Sequence, residues 1–405
     1  MNRAVIVEAA RSPVGRRDGA LSSVHPVDLH AAVLGELMLR AGVDPIEVDD
    51  HIAGCVSQVG EQSLNEARNA WLAAGFPESV PSTTIDRQCG SSQQAIAFAS
   101  QGIEAGAYDV VVASGVEHMT RVPMGSSRAD AEEPLGDRLA ERYVGTLVPQ
   151  GISAELIAHR WDITRDQQDD FAFRSHLLAG NAQREGRLKA QLVPIDVTAD
   201  GGEPRALDRD EGVRLEPDRE RMRGLEPAFR NEAYDRLFPG QIDWTVTAAN
   251  ASQISDGAAA VLLASESRAI ERGWPIRGRV VAHAVIGTDP ILMLTGPIPA
   301  TRRVLARAEL ALHDIDVLEI NEAFASVVLA WKRELDVEDT WFEEHVNPNG
   351  GAIAIGHPLG ASGARLFTDL VHELERRGGR YGLQVMFEGG GMANATVIER
   401  VAKDR

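Results

Sequence analysis

Apolar residues in this chain fall into short unbroken runs, separated by longer stretches in which they recur every three or four positions. The runs 4-AVIVEAA-10, 109-DVVVASG-115, 257-GAAAVLLAS-265, 279-RVVAHAVIG-287 and 316-DVLEI-320 predict short strands, the first of them buried. Between them, 26-PVDLHAAVLGELMLRAG-42 predicts a helix, with Pro26 in its first turn, Asp28 complementing the dipole, and Leu29, Val33 and Leu37 on one face. Gly42 is its stop. The stretch 85-IDRQCGSSQQAIAFASQGIEAG-106 reads as an approach segment, a cysteine, a small-residue turn and an amphipathic helix. Its stripe is Ala95, Ile96, Ala99 and Ile103, widened by Phe98. Further helices are expected near 63–74 and 299–311, with a strand around 52–56 that contains Cys55. The end predicts a hairpin, 382–388 and 393–399, joined across Gly389, Gly390 and Gly391. Alternating strands and helices predict a mainly parallel sheet covered on both faces, in two outer halves of similar rhythm.

The middle, from about 120 to 248, breaks this pattern. It is rich in Arg, Asp, Glu, Pro and Gly. One clear helix begins at Thr164, which forms a capping-box pattern with Gln167 and runs on through Phe171, Leu178 and Ala182. The charged stretch 205–223 reads as solvated loops or surface helices. Its place between two sheet-forming halves also fits an insertion over the mouth of a site.

Composition narrows the functional classes. The 405 residues carry Lys+Arg 41 against Asp+Glu 60, a net charge of −19, which argues against broad nucleic-acid or anionic-membrane binding. An anionic ligand would need a local basic patch, and Arg219, Arg221 and Arg223 are the candidates, against ordinary solvated charge. Lysine occurs only at 189, 332 and 403, outside any motif, which argues against Schiff-base chemistry. Two cysteines fit a reducing compartment rather than a disulfide framework. A strand beginning at Ala4, no apolar run long enough to span a membrane and no sorting signal in the final VAKDR together predict a cytoplasmic protein.

Four places can carry chemistry. Cys89 stands just before a helix start, where unpaired N–H groups and the dipole favour an anion and predict a thiol pKa below its usual value of about 8.5. A buried, inert cysteine is the competing reading, and this stretch alone leaves both open. Asn321 and Glu322 directly follow a strand, where α/β sheets meet ligands, although helix capping also explains them. His357 lies between Gly356 and Pro358 in a run of small residues, a setting suited to proton transfer or oxyanion stabilisation. The N–H groups of the Gly389–Gly391 turn can face a carbonyl oxygen. The glycines at 351, 356, 360 and 363 do not have the order of a dinucleotide fingerprint. Walker A, HExxH, G-x-S-x-G and clustered Cys/His ligands are absent from the sequence. Cys89 as nucleophile with His357 as base is the pairing left.

Together these segments resemble the thiolases. The resemblance rests on DRQCGSS around Cys89, 245-TVTAANASQISDGAAAVLLAS-265, 296-GPIPATR-302, 321-NEAF-324 and 349-NGGAIAIGHPLGASGAR-365. The opening ARSPVG, 115-GVEHM-119 and 151-GISAE-155 match as well, so it covers the chain from end to end. It implies a five-layer αβαβα fold: 1–119 and 249–275 form the N-terminal half, 276–405 the C-terminal half, and 120–248 a loop domain that binds coenzyme A. It further implies coenzyme A thioesters as substrates, no permanently bound cofactor or metal, and a homodimer or homotetramer. By position, Cys89 matches the acyl-accepting nucleophile and His357 the histidine that activates it. Asn321 matches the asparagine that fixes an oxyanion-hole water. Gly389 matches the glycine whose N–H joins that of Cys89 on the acyl oxygen, and Ser252 matches a serine beside the pantetheine arm.

One position departs from the resemblance. Thiolases carry a second cysteine in C-x-G-G-G that moves the α-proton, and here that register reads Phe387-Glu388-Gly389-Gly390-Gly391. Phenylalanine cannot transfer a proton. Glu388, His118 and His345 are the ionisable neighbours to inspect, and Gln150 is a smaller deviation, where biosynthetic members often carry methionine. Two readings therefore stand: an acyltransferase forming acyl-Cys89, with normal or weakened carbon–carbon chemistry, and a degenerate acyl-CoA-binding subunit.

Overall fold

The computed structural model describes residues 3–129, 131–132, 134–198 and 204–401, so Lys403 and most of the final VAKDR lie outside the described residues. The apolar runs form nine main strands: β1 (Ala4–Arg11), β2 (Asp50–Gly54), β3 (Ser82–Ile85), β4 (Val110–His118), β5 (Ser255–Ser265), β6 (Gly278–Gly287), β7 (Val317–Ile320), β8 (Tyr381–Glu388) and β9 (Met392–Arg400). Their order is β7-β8-β9-β6-β1-β5-β4-β2-β3, extended by a short pairing of Gly15–Arg16 with β5. The halves meet at β1 and β6, through the pairs Val5–Arg279 and Ile6–Gly278.

Side-chain alternation along the strands builds the layers. On β5, Ala258, Ala260, Leu262 and Ala264 face the outer helix Pro26–Ala41, with its Leu29, Val33 and Leu37. Ala259, Val261 and Leu263 face inward. A bulge between Ile6 and Glu8 switches the parity of β1, so that Ala4, Ile6 and then Ala9 all point inward. In the second half Leu318, Ile320, Leu383 and Val385 pack against a second outer layer, containing the helix Pro297–Ala308. Between the halves run two inner helices, Ser91–Glu104 and Ser362–Arg377, whose Ile96, Ala99, Ile103, Phe367 and Leu370 share one core. Every residue from Ser362 to Val371 is buried, as expected of a helix enclosed on all sides. The order is αβαβα.

Several expectations change. The sheet is mixed rather than mainly parallel: β2–β3, β2–β4 and β7–β8 are parallel, while the Gly389–Gly391 hairpin makes β8–β9 antiparallel. The long insert also returns the chain to pair antiparallel with β4, as β5. Phe98 does not widen the apolar stripe; it is 42% exposed, on the outer side of its helix. Cys55 lies one residue beyond β2. The insert contains a helix the pattern did not suggest, Gln150–Arg160, because all of Gly151–Ala158 is buried and leaves no polar face to set a period. The capping box at Thr164 forms as expected and opens the helix Arg165–Arg184. The stretch 205–223 is not all solvated. Asp210 is buried and takes two hydrogen bonds from the buried Arg11, at 2.8 and 3.0 Å.

Candidate active site

The two inner helices begin side by side. A Cβ on Gly363 would overlap the backbone of Gln93, and Ala364 N–H donates to Ser92 Oγ at 2.8 Å. Only a glycine permits so close an approach. It sets the loop before one helix, with Cys89, against the loop before the other, with His357.

The Cys89 turn is locked by its neighbours. Gln88 adopts φ +50°, an uncommon conformation for a residue with a side chain, and its N–H donates to Asp86 Oδ1 at 2.6 Å. Ser91 Oγ accepts from Arg87 N–H at 2.9 Å and donates to Gln88 O at 2.6 Å. Cys89 packs with Met119, Leu359, Leu366 and Met386. The Gln150 side-chain amide and the N–H groups of Cys89 and Gly389 all act on its sulfur to favour the thiolate. They do not prevail. Burial, followed by the nearby Glu388, pushes the thiol up to about 12, so the lowered pKa expected from the helix start is overturned. Desolvation of the sulfur outweighs the surrounding dipoles, and the resting group is a neutral thiol.

His357 is equally dry. Burial, followed by the Arg365 guanidinium, pushes it down to about 3, so its imidazole is neutral. Its Nδ1 lies 2.6 Å from Ser362 Oγ, and that hydroxyl donates to Pro358 O at 2.7 Å. With the hydroxyl proton so committed, Nδ1 must be the donor and Nε2 carries the lone pair. Asn321 Nδ2 approaches that Nε2 at 3.4 Å, while Asn321 Oδ1 is buried without a partner. Asn321 follows β7, and its N–H donates to Val385 O on β8 at 3.0 Å. Cys89, Asn321 and Gly389 thus follow the carboxyl ends of β3, β7 and β8.

Other predicted residues fall around this corner. Ser252 is half-buried and its N–H donates to Ala323 O at 2.9 Å, joining its segment to the NEAF run. Glu322 is no helix cap. It is buried and accepts from Ser175 Oγ at 2.6 Å and Asn347 Nδ2 at 2.7 Å, tying the insert to the second half. His118 has Nε2 at 2.9 Å from Leu21 O and Nδ1 at 3.2 Å from Asp256, while His345 stacks on Trp341. The three arginines are not brought to the corner. Arg219 is paired with Asp170 and Arg223 with Glu220, and all three are exposed on the short helix Arg219–Arg223. Arg219 borders a cavity of about 840 Å³ with Phe171, Arg174, Lys332 and Phe342, away from Cys89 and His357.

Sequence reasoning did not find Ser362, although a serine five residues after the histidine, at a helix start, was the available signal. It also missed Glu117. That buried carboxylate accepts N–H bonds from Val56 and Ser57 in one half and from Gly360 in the histidine loop, at 2.9, 3.0 and 2.9 Å.

A five-layer fold of two like halves, with a buried thiol and a neutral imidazole at the starts of its inner helices, defines an acyl-transfer class of protein. The chain belongs to the thiolase family: the thiolase N-terminal domain matches residues 4–267 and the thiolase C-terminal domain residues 274–400. It is 47% identical to a steroid 3-ketoacyl-CoA thiolase of Mycobacterium tuberculosis, over 99% of this chain and 95% of that protein. It is 44% identical to the 3-oxoadipyl-CoA/3-oxo-5,6-dehydrosuberyl-CoA thiolase of Escherichia coli, over 99% and 100% of the two chains. The crystal structure of the Bacillus anthracis acetyl-CoA acetyltransferase superposes with a TM-score of 0.87 at 40% identity, covering 99% of each chain. The protein is an acyltransferase enzyme. Among the described residues no helix is long and apolar enough to cross a membrane.

Proposed function

We propose that the protein transfers acyl groups to and from coenzyme A through an acyl-Cys89 intermediate, cleaving 3-ketoacyl-CoA or condensing acyl-CoAs. The observation that carries this reading is a neutral thiol, held by the N–H groups of Cys89 and Gly389, in the same corner as a neutral His357 whose Nε2, approached by Asn321 Nδ2 at 3.4 Å, keeps the lone pair that can accept a proton. Cys89 passes its proton to Nε2, and the sulfur attacks the thioester or keto carbonyl. The two backbone N–H groups then hold the oxygen of the acyl-enzyme. Asn321, with its unpartnered Oδ1, orients a water beside His357.

Residues 120–248 serve as the coenzyme A loop domain, with Ser252 beside the pantetheine arm and Arg219, Arg221 and Arg223 offsetting the nucleotide phosphates. Arg219 and Arg223 must exchange their carboxylate partners to do so. Residues 1–119 with 249–275, and 276–405, are the two catalytic halves. The working protein is a cytoplasmic homodimer or homotetramer. Its own substrates are 3-ketoacyl-CoAs, a reading supported by the names of its relatives. Phe387, buried in one cluster with Ala323 and Phe324, has no proton to give, so unless another group carries the α-proton, acylation outpaces carbon–carbon cleavage.

Incubation with acyl-CoA followed by intact-protein mass spectrometry tests the reading. An acyl adduct is expected, and Cys89→Ala should abolish it. No adduct with any short or long acyl-CoA would instead make the chain a non-catalytic acyl-CoA-binding subunit.

A further inference from the structure

Glu388 is fully buried at the end of β8, and among the described residues it is the one carboxylate with both oxygens enclosed and without a hydrogen-bond partner. Buried polar groups are nearly always satisfied, so such an orphan calls for a role. Its position is specific. Gly389, the next residue, directs its N–H at Cys89 sulfur. A Cβ on Gly90 would overlap the Glu388 carboxyl, so the group lies against the backbone just past the nucleophile. Strand alternation explains why. Met386 and Glu388 share a face, and Met386 lies in one cluster with Cys89, whereas Phe387 is on the opposite face, in a cluster with Ala323 and Phe324 of the run that carries Asn321, so positions 387 and 388 both border the site.

We propose that Glu388 is the proton carrier for the α-carbon in this protein, taking over the step that residue 387 cannot perform. The inference rests on the acyl-Cys89 reading above. In the tetrahedral species on Cys89 the reacting α-carbon is two bonds from the sulfur, and the Glu388 carboxyl lies against Gly90 and acts on that sulfur through space. In cleavage, the bond between C2 and C3 breaks, and its electron pair takes the Glu388 proton to give the acetyl-CoA methyl. The resulting carboxylate then accepts the thiol proton of incoming coenzyme A, whose sulfur attacks acyl-Cys89. Condensation runs the same steps backwards, with the carboxylate removing the α-proton. Burial holds Glu388 near 8, with Asp86 also raising it and Arg87 opposing, while the third ionisable neighbour, Cys89, is a neutral thiol. Both forms of Glu388 are therefore available near neutral pH.

Exchange of the methyl protons of acetyl-CoA in D2O, followed by NMR, reads this step without net turnover. The unmodified protein should exchange them, with a rate that falls as pH drops below about 8, where the carboxylate is lost. Cleavage needs the acid form and should fall above that pH. Glu388→Gln should slow exchange by at least about 100-fold. Phe387→Cys placed in Glu388→Gln should restore it, which also shows that the site is still folded. Exchange by Glu388→Gln at the unmodified rate, or no exchange by the unmodified protein, would overturn the proposal. Acylation of Cys89 in the unmodified protein, read by mass, separates that failure from failure of the acyl-enzyme reading.

Discussion

The two inner helices occupy equivalent places in the two halves, yet the loops before them treat their reactive groups in opposite ways. The loop before Ser91–Glu104 surrounds Cys89 with donors: its own N–H, the Gly389 N–H and the Gln150 amide. The loop before Ser362–Arg377 gives His357 an acceptor at Nδ1 and leaves the lone pair at Nε2. On the proposed mechanism, one site receives negative charge and the other receives a proton. Both are buried, so neither is ionised at rest, and in the proposed reaction charge appears only when the proton moves between them. Burial that looks unfavourable for each group alone would, on that mechanism, make the pair work as a unit.

The largest effect expected within this comparison is at the base. His357→Asn should slow acylation of Cys89 by about 10²–10⁴-fold, as measured by stopped-flow or quenched mass spectrometry. Ser362→Ala leaves the imidazole but removes the acceptor at Nδ1, and a smaller loss, about tenfold, is expected. Equal losses in the two variants would break the comparison, because fixing the tautomer would then be the whole of the histidine's role.

A second test uses the hairpin. Phe387→Cys should raise 3-ketoacyl-CoA cleavage by at least about tenfold while changing acylation little, provided the smaller side chain leaves the β8–β9 turn in place. Brisk cleavage by the unmodified protein would show that Phe387 costs nothing because Glu388 already serves the proton step in full.

The smallest effect is expected outside both helices. Replacing Arg219, Arg221 and Arg223 together by Gln should weaken coenzyme A binding a few-fold at low salt, and less at high salt, as screening reduces long-range charge. Calorimetric affinity unchanged at every ionic strength would leave the three as ordinary surface ion pairs, in line with the Asp170 and Glu220 partners of Arg219 and Arg223.

Much of this molecule follows from the sequence because local rules suffice there. The doubly buried strands are continuous apolar runs, the helix Pro26–Ala41 ends at a left-handed Gly42, and Thr164 caps its helix with Gln167. Cys89, His357, Asn321 and Gly389 sit in turns whose small residues have a local reason to be there. Other properties are set by what lies across space. The helix Gln150–Arg160 is enclosed on every side, which erases the periodicity that would have revealed it. The strand directions depend on how a long insert returns to the sheet. The charge state of Cys89 differs from what its position at a helix start predicts, because it is buried among Met119, Leu359, Leu366 and Met386, residues remote in the chain, and burial raises its pKa. Spacing determines which residues can reach a site. Only the packed structure decides how much water stays with them, and with it which of them carry a proton.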